Sequence, residues 1–301
     1  MPDVWLNGHF TDETEAAVSV RDTGFLHAAG VFTTLRSAGG KPQRLDAHLK
    51  RLRASCDALF VPLVPKDEVL TEAASELLKR NALTDARMRI TVTRGTTHQD
   101  PIHGLHAEPT VLITATPFEP YPPEFYASGM TVLALDRHKL NPYDPQAGHK
   151  TLDYFSRLTA LREAARRGAA EALWFNVHNY LQSGSISNVF VVKDGRLLTP
   201  PTNDELRVAE VEARTPYPKS NVLPGVTRAV VIDAAKAAGI DIALQALSIN
   251  DVLAADEVFL TNSIMGVMPV GRVEQHAYET VPGPVTRKLT LASSPGTQGE
   301  D

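Results

Sequence analysis

The stretch Phe118-Glu119-Pro120-Tyr121-Pro122-Pro123 constrains this chain before anything else does. Proline fixes φ and lacks a backbone donor, so neither a helix interior nor a central strand runs through such a run. At 301 residues the chain is long enough for two hydrophobic cores. A break of this kind therefore predicts two domains, over residues 1–121 and 122–290. Residues 291–301 are rich in Ser, Pro, Gly and Gln and are expected to form a disordered tail.

Before the break, Asp3–Leu6 and Ala17–Val20 read as strands, and Asn7-Gly8 is a hairpin signal. Arg21–Gly30 reads as a loop and Val31–Ser37 as a strand. Leu45, Leu49, Leu52, Cys56 and Leu59 lie on one face of a predicted helix over Leu45–Leu59. A second helix is predicted over Lys66–Leu83, and strands over Arg87–Thr93 and Thr110–Thr116. Between those strands, Arg94–Pro109 is a polar segment expected to be a mobile loop at a site mouth. Its histidines, His98, His103 and His106, fit no metal template, so no metal is expected.

After the break, Glu171–Val177, Ile186–Val192, Arg196–Leu198, Asp241–Leu247 and Glu257–Thr261 read as strands. Gly225–Ala238 reads as a helix, Ser248 as a helix cap, and Pro200–Leu223 as an unusually long polar loop.

Hydrophobic residues at 43% and charged residues at 22% fit an ordinary soluble globular protein. A net charge of −5 argues against a general nucleic-acid or polybasic membrane binder. One cysteine, Cys56, permits no internal disulfide and suits a reducing compartment. No signal peptide or membrane span is read from the sequence, and the cytoplasm is the expected location.

The chemistry gathers at a few junctions. Gly148-His149-Lys150-Thr151-Leu152-Asp153-Tyr154-Phe155 places a lysine between a turn-rich segment, Asn141–Gly148, and a predicted helix over Thr151–Arg167. Leu152, Phe155, Leu158 and Leu161 supply that helix with an apolar spacing. Burial of such a lysine disfavours its ammonium form, and the neutral amine is what Schiff-base chemistry requires; a solvated lysine is the plain alternative. Leu223-Pro224-Gly225-Val226-Thr227-Arg228 opens a helix whose first N–H groups, those of Val226 and Thr227, can cradle an anion. An ordinary cap is the alternative there. Thr261-Asn262-Ser263-Ile264-Met265-Gly266 is a second polar turn at a strand end. Arg51 can supply a fixed charge for a phosphate, or be a solvated helix-face arginine.

Six segments resemble the fold-type IV pyridoxal-phosphate enzymes, which comprise branched-chain aminotransferases, D-amino acid aminotransferases and 4-amino-4-deoxychorismate lyases. They are Trp5-Leu6-Asn7-Gly8 with Arg21–Phe25; Val31–Arg36 with His48–Leu52; Gly148–Tyr154; Ser185-Ile186-Ser187-Asn188-Val189-Phe190; Leu223–Arg228; and Thr261-Asn262-Ser263 through Pro269-Val270. They run in the family's order over residues 5 to 270. The resemblance implies pyridoxal 5′-phosphate as cofactor and an α/β (α+β) fold, with a small N-terminal α/β domain and a larger C-terminal pseudo-barrel domain that carries the lysine. It implies that Lys150 bonds the cofactor and shuttles the substrate proton, and that Arg51 binds the phosphate. Val226, Thr227 and Ser263 would cradle that phosphate, and Tyr154 would lie by the cofactor's phenolic oxygen. Asn188 marks the cofactor-binding strand. It implies further a homodimer, with a site between domains completed by a partner loop, for which Arg94–Pro109 is the expected donor.

One position departs from the pattern. The family carries a glutamate five residues before the asparagine matching Asn188, where it pairs with the cofactor's ring nitrogen; here Ser183 stands there. A hydroxyl stabilises a pyridinium far less than a carboxylate does, which weakens the electron sink and suits elimination better than transamination. Phe32-Thr33-Thr34 and Asn262-Ser263 also resemble the lyase branch. His27-Ala28-Ala29-Gly30 and the long Pro200–Leu223 loop depart from the family. The sequence thus predicts a lyase resembling 4-amino-4-deoxychorismate lyase acting on a small amino substrate. The alternatives are an aminotransferase for D- or branched-chain amino acids, and a cofactor-binding protein with weak or no catalysis. Arg94, His98 and Arg137 are candidates for holding a substrate carboxylate, each with a solvated side chain as alternative; Thr34 and Asn262 complete the candidate substrate contacts.

Overall fold

The structure, a computed structural model, describes residues 1–100, 104–216 and 218–293. Its Cα packing separates one unit of Met1–Pro120 plus His149–Tyr154 from a second of Tyr121–Gly148 plus Phe155 onward.

The first unit runs β1 (Asp3–Leu6), β2 (His9–Asp12), α1 (Thr23–His27), β3 (Gly30–Ala38), β4 (Lys41–Pro42), α2 (Leu45–Ala58), α3 (Asp67–Arg80), β5 (Ala86–Asp100) and β6 (Gly104–Pro117). Among the described residues its strands form a six-stranded sheet, ordered β2-β1-β6-β5-β3-β4. Asn7 and Gly8 both take positive φ, at 49° and 98°, and a two-residue turn of this kind pairs adjacent residues. β1 accordingly pairs with His9–Asp12, Leu6 opposite His9, and not with Ala17–Val20, which is not a strand. The segment 21–30, expected as a loop, contains α1, capped by the Asp22 carboxylate accepting from the Gly24 N–H. Leu49, Leu52 and Cys56 of α2, with Leu70, Ala74 and Leu77 of α3, bury one face of the sheet against Val31, Leu35, Met88, Ile90 and Ile113.

The described residues of the Arg94–Pro109 segment, 94–100 and 104–109, belong to a ladder rather than a loop. β5 and β6 pair antiparallel from Ala86 opposite Pro117 out to Asp100 opposite Gly104. The register shifts between Thr93 and Thr96, where Gly95 takes φ +73° and a Cβ would collide with the Glu108 carbonyl. Only a glycine lets the strand slip a residue there and continue. His98 pairs with His106 across this ladder; His103 lies outside the described residues.

The lysine segment, expected with the C-terminal domain, packs with the first unit. β4 pairs with the far end of β3, at Ser37 and Ala38, which leaves the edge at Gly30–Phe32 open to pairing. Residues 150–152 fill it: Phe32 N–H donates to Lys150 O at 2.9 Å, Leu152 N–H donates to Gly30 O at 2.9 Å, and Thr151 bridges Val31. Thr151 is thus an extended rung, and the helix predicted from it begins only at Phe155.

The second unit runs α4 (Pro123–Ser128), β7 (Met130–Leu140), α5 (Phe155–Arg166), β8 (Glu171–Asn176), β9 (Leu181–Gly184), β10 (Asn188–Lys193), β11 (Arg196–Thr199), α6 (Ala209–Glu212), α7 (Val226–Ala237), β12 (Ile242–Leu244), α8 (Ile249–Leu253), β13 (Glu257–Asn262), β14 (Gly266–Val273), β15 (His276–Ala277) and α9 (Pro284–Ser293). Among the described residues these strands form a nine-stranded mixed sheet, β12-β11-β10-β13-β14-β7-β8-β9 with β15 on β14. β10 and β13 are covered on both faces. Val189, Val191, Val258 and Leu260 enter one core, and Phe190, Val192 and Phe259 enter another with Val231 and Ala235 of α7. Burial on both sides is why both strands read as unbroken apolar runs. The stripe expected to bury α5 does not do so: Phe155 is 81% and Leu158 54% exposed, while Ala160 and Ala164 are buried against Leu133, Leu135, Ala172 and Trp174. Small residues let that helix approach the sheet closely.

Two expectations about irregular segments need correction. Leu291–Ser293 belong to α9, whose Leu289 is buried against α7-side residues and whose Thr286 N–H donates to Glu257; residues 294–301 of the predicted tail lie outside the described residues. Within the long polar loop over Pro200–Leu223, a helical turn over Glu205–Arg207 and α6 form. Buried Arg228 is paired with Glu205 at 2.8 Å, and Ser220 Oγ donates to Pro201 O at 2.7 Å. The mixed α/β class expected from the sequence is the one observed. No helix among the described residues is long and apolar enough to cross a membrane.

Candidate active site

Each unit carries a cluster of predicted site residues. In the first, the rung of Lys150 on β3 brings the lysine to the Phe32 face of that strand. Its Nζ donates to Tyr154 Oη at 2.9 Å and lies 4.6 Å from the Phe32 ring centroid. The Phe32 and Tyr154 rings meet edge to face at 5.3 Å, and the Arg89 guanidinium lies 3.6 Å over Phe32 on the sheet. Thr34 alternates onto the same face as Phe32 and stands opposite Arg89 in register. A hydroxyl and two aromatic rings thus stand beside the amine.

On the other face of β3, Thr33 points at α2 and is fully buried. Its hydroxyl accepts from Arg51 Nη2 at 2.9 Å and lies 2.7 Å from His48 Nδ1. Arginine only donates, so Thr33 has its own proton left to give, which suits an unprotonated Nδ1. Burial, reinforced by the charges of Arg51, Lys150 and Arg44, pushes His48 down to about 3 from the ordinary imidazole value of 6.5. His48 is therefore neutral and acts as a fixed acceptor. Burial likewise lowers Arg51 to about 10, partly opposed by the Tyr154 hydroxyl; the guanidinium remains charged at neutral pH. Thr33, His48, Arg89 and Phe32 received no role from sequence reading. The spacing of His48 and Arg51 by one helical turn was the available signal, but the strand residue that joins them lies far away in sequence.

The second unit's cluster is built mostly from backbone. α7 starts at Val226 with Gly225 as its cap, in extended conformation and with no side-chain cap bond, so the first N–H groups of the helix are not taken by a cap. A Cβ at position 225 would collide with Asn188 Oδ1. Asn188, on β10, is itself held there, its Nδ2 donating to Leu223 O at 2.9 Å. Thr227 Oγ1 lies 3.5 Å from Ser263 Oγ. Asn262 holds the turn below by accepting from Ile264 N–H at 2.9 Å and Met265 N–H at 2.8 Å. Its side-chain oxygen thus serves the backbone of that turn.

Ser183 is buried on β9 opposite Trp174, and its Oγ lies 3.4 Å from Arg157 Nη1. The neighbouring turn is held by a carboxylate that sequence reading passed over. Buried Glu171 accepts from the N–H groups of Ala172 and Ser185, both at 2.9 Å, from Ile186 N–H at 3.2 Å and from Ser187 Oγ at 3.1 Å.

The remaining substrate candidates divide. Arg94 has a buried Nε with no hydrogen-bond partner among the described residues, and its backbone N–H donates to Ala29 O at 2.8 Å. Arg137 is 79% exposed with Glu163 as a distant ion-pair partner at 3.9 Å, which is a solvated side chain. Of His98 only the backbone pairing is described.

The chain is similar to known proteins over nearly its whole length. The aminodeoxychorismate lyase of Bacillus subtilis is 30% identical over 291 residues, 96% of this chain and 92% of its own. The branched-chain-amino-acid aminotransferase of Salmonella typhimurium is 30% identical over 300 residues, 96% of this chain and 91% of its own. The branched-chain amino acid aminotransferase of T.th., crystallised with pyridoxamine 5′-phosphate, superposes with a TM-score of 0.84 at 25% identity, over 97% of this chain and 92% of that one. The model of the amino-transferase class IV family matches residues 30–207 and 208–273. With the lysine rung, the arginine on α2 and the glycine-started helix all inside the matched residues, this chain belongs to the amino-transferase class IV family.

Proposed function

We propose that this member of the family is a pyridoxal 5′-phosphate-dependent lyase, acting on an amino substrate as 4-amino-4-deoxychorismate lyase does and releasing pyruvate and 4-aminobenzoate. The residues fit the cofactor. An amine walled by two aromatic rings suits a bond to an aldehyde, a fixed arginine suits a phosphate, and a helix start with a glycine cap lets phosphate oxygens approach the backbone. When bound, the cofactor supplies electron withdrawal from the substrate's α-carbon.

The chain's own residues do the rest. Lys150 would hold the cofactor, and its amine would then be placed to take the substrate's α-proton and to give one back. Tyr154 orients the amine by accepting from Nζ. Arg51, held in place by Thr33 and neutral His48, would supply a positive charge to the cofactor's phosphate. The N–H groups of Val226 and Thr227, with the hydroxyls of Thr227 and Ser263, would receive phosphate oxygens.

The observation that carries the lyase assignment is Ser183, a buried hydroxyl at the position where the family's carboxylate supports the ring nitrogen. A weaker electron sink penalises transamination more than elimination. The aminotransferase reading keeps one specific support, since the lyase and the aminotransferase relatives are both 30% identical. The test is pyruvate release from aminodeoxychorismate by cofactor-loaded protein, with Lys150→Ala as control. The variant is expected to lose roughly 10²–10⁴-fold in rate. Amino transfer to a keto acid without pyruvate release would overturn the lyase reading. Neither activity, with cofactor retained, would leave a binding protein of weak or no catalysis. The same reading carries a homodimer whose neighbouring Arg94–Pro109 segment completes the site, and a cytoplasmic location; sedimentation checks the first.

A further inference from the structure

Ser183 does not stand alone. The Arg157 Nη1 that lies 3.4 Å from Ser183 Oγ also donates to Gly184 O at 3.1 Å and Ser185 O at 2.9 Å. The guanidinium carbon lies 5.6 Å from the Trp174 ring centroid. Trp174 is itself fixed, its Nε1–H donating to Ser185 Oγ at 2.9 Å and the His138 ring stacked at 5.9 Å. Arg157 is thus tied to the β9 turn from several sides.

A guanidinium has donors and no acceptor. Ser183 Oγ must therefore accept from Arg157, and the serine's single hydrogen points elsewhere. Glu171, the carboxylate packed against this turn, spends its oxygens on Ala172, Ser185, Ile186 and Ser187. What Ser183 offers a ligand is an O–H donor backed by a positive charge. A donor matches a nitrogen lone pair; a protonated nitrogen needs an acceptor. A neighbouring cation further disfavours a second positive charge.

We infer that Ser183 and Arg157 together hold the cofactor's ring nitrogen unprotonated, the serine donating to it and the guanidinium opposing a charge there. The inference rests on the reading above that Ser183 stands at that nitrogen. Arg157 is a positioning residue, acting through Ser183. Its effect is to weaken the electron sink by design, so that a bound amino substrate partitions away from transamination.

The test is the ring-nitrogen resonance of full-length protein loaded with ¹⁵N-labelled pyridoxal 5′-phosphate at neutral pH. Borohydride reduction first verifies that the label sits on Lys150. Wild-type protein is expected to show the resonance of an unprotonated pyridine. Ser183→Glu combined with Arg157→Gln is expected to shift it toward the pyridinium position, and the milder Arg157→Gln alone to move it part of the way. A pyridinium resonance in the wild-type protein overturns the inference while leaving the cofactor reading intact. An unmoved resonance in a folded double variant also overturns it. A protein that takes no label on Lys150 overturns both. The wild-type spectrum is decisive by itself should the variants not fold.

Discussion

The two clusters are built from different materials. The lysine cluster of the first unit is a set of side chains that constrain one another: Lys150 on Tyr154, Arg51 on Thr33, Thr33 on His48. Its partners come from β3, α2 and the rung at 150–152. The cradle of the second unit is backbone, a helix start and a turn, kept open by one glycine and one asparagine. Charge chemistry demands groups whose protonation is settled by burial and neighbours. Phosphate binding demands only aligned N–H donors and room to approach them. A side-chain cluster should therefore fail through unpaired polar groups and pH, and a backbone cradle through steric intrusion.

That contrast can be broken at either end. Gly225→Ala inserts a methyl into the Asn188 amide, and overpacking of this kind costs about 1–3 kcal/mol. Because the collision is with the residue that fixes the cradle, cofactor affinity should fall as well; denaturant unfolding and a cofactor titration check the two parts. Thr33→Val keeps the shape but removes the hydroxyl between His48 and Arg51, leaving buried polar groups unpaired at a cost of about 1–3 kcal/mol. Here unfolding should show the loss even without cofactor.

The pH dependence sharpens the comparison further. His48 is neutral when folded, with its value lowered from 6.5 to about 3. Between those values the unfolded chain binds the extra proton, so stability rises with pH across this window and is lost as pH falls through it. His48→Gln retains an acceptor for Thr33 and should flatten that slope in urea unfolding measured from pH 3 to pH 6.5. The smallest effect belongs to Arg137→Ala. With its side chain 79% exposed, the change should leave stability within about 0.5 kcal/mol and activity unchanged; a large loss of activity would return Arg137 to the substrate site.

Legibility from sequence followed the same division. The helix start and the turn depend on neighbours in the chain, so turn chemistry over Leu223–Arg228 and Thr261–Gly266 announced them. α2 was readable because its apolar residues repeat at helical spacing. The lysine could be picked out, but its surroundings could not. Nothing local says that residues 150–152 add a rung to β3, because that depends on which stretch of β3 is left unpaired. Arg94–Pro109 looked like a loop because its polar, histidine-bearing composition hides a continuing ladder that passes its bulge at Gly95. The helical spacing of Phe155 and Leu158 misled, since the buried face of α5 is made of alanines. Long-range partners such as Glu171 and Arg157 acquire their roles only from the turn they hold.

The central claim is tested most directly by the absorbance of the bound cofactor, recorded before and after mixing with L- and D-amino acids. The account predicts an aldehyde band that persists, with pyruvate appearing only when aminodeoxychorismate is supplied. Rapid conversion of that band to the amine form by a simple amino acid would contradict it, and would make this chain an aminotransferase despite Ser183.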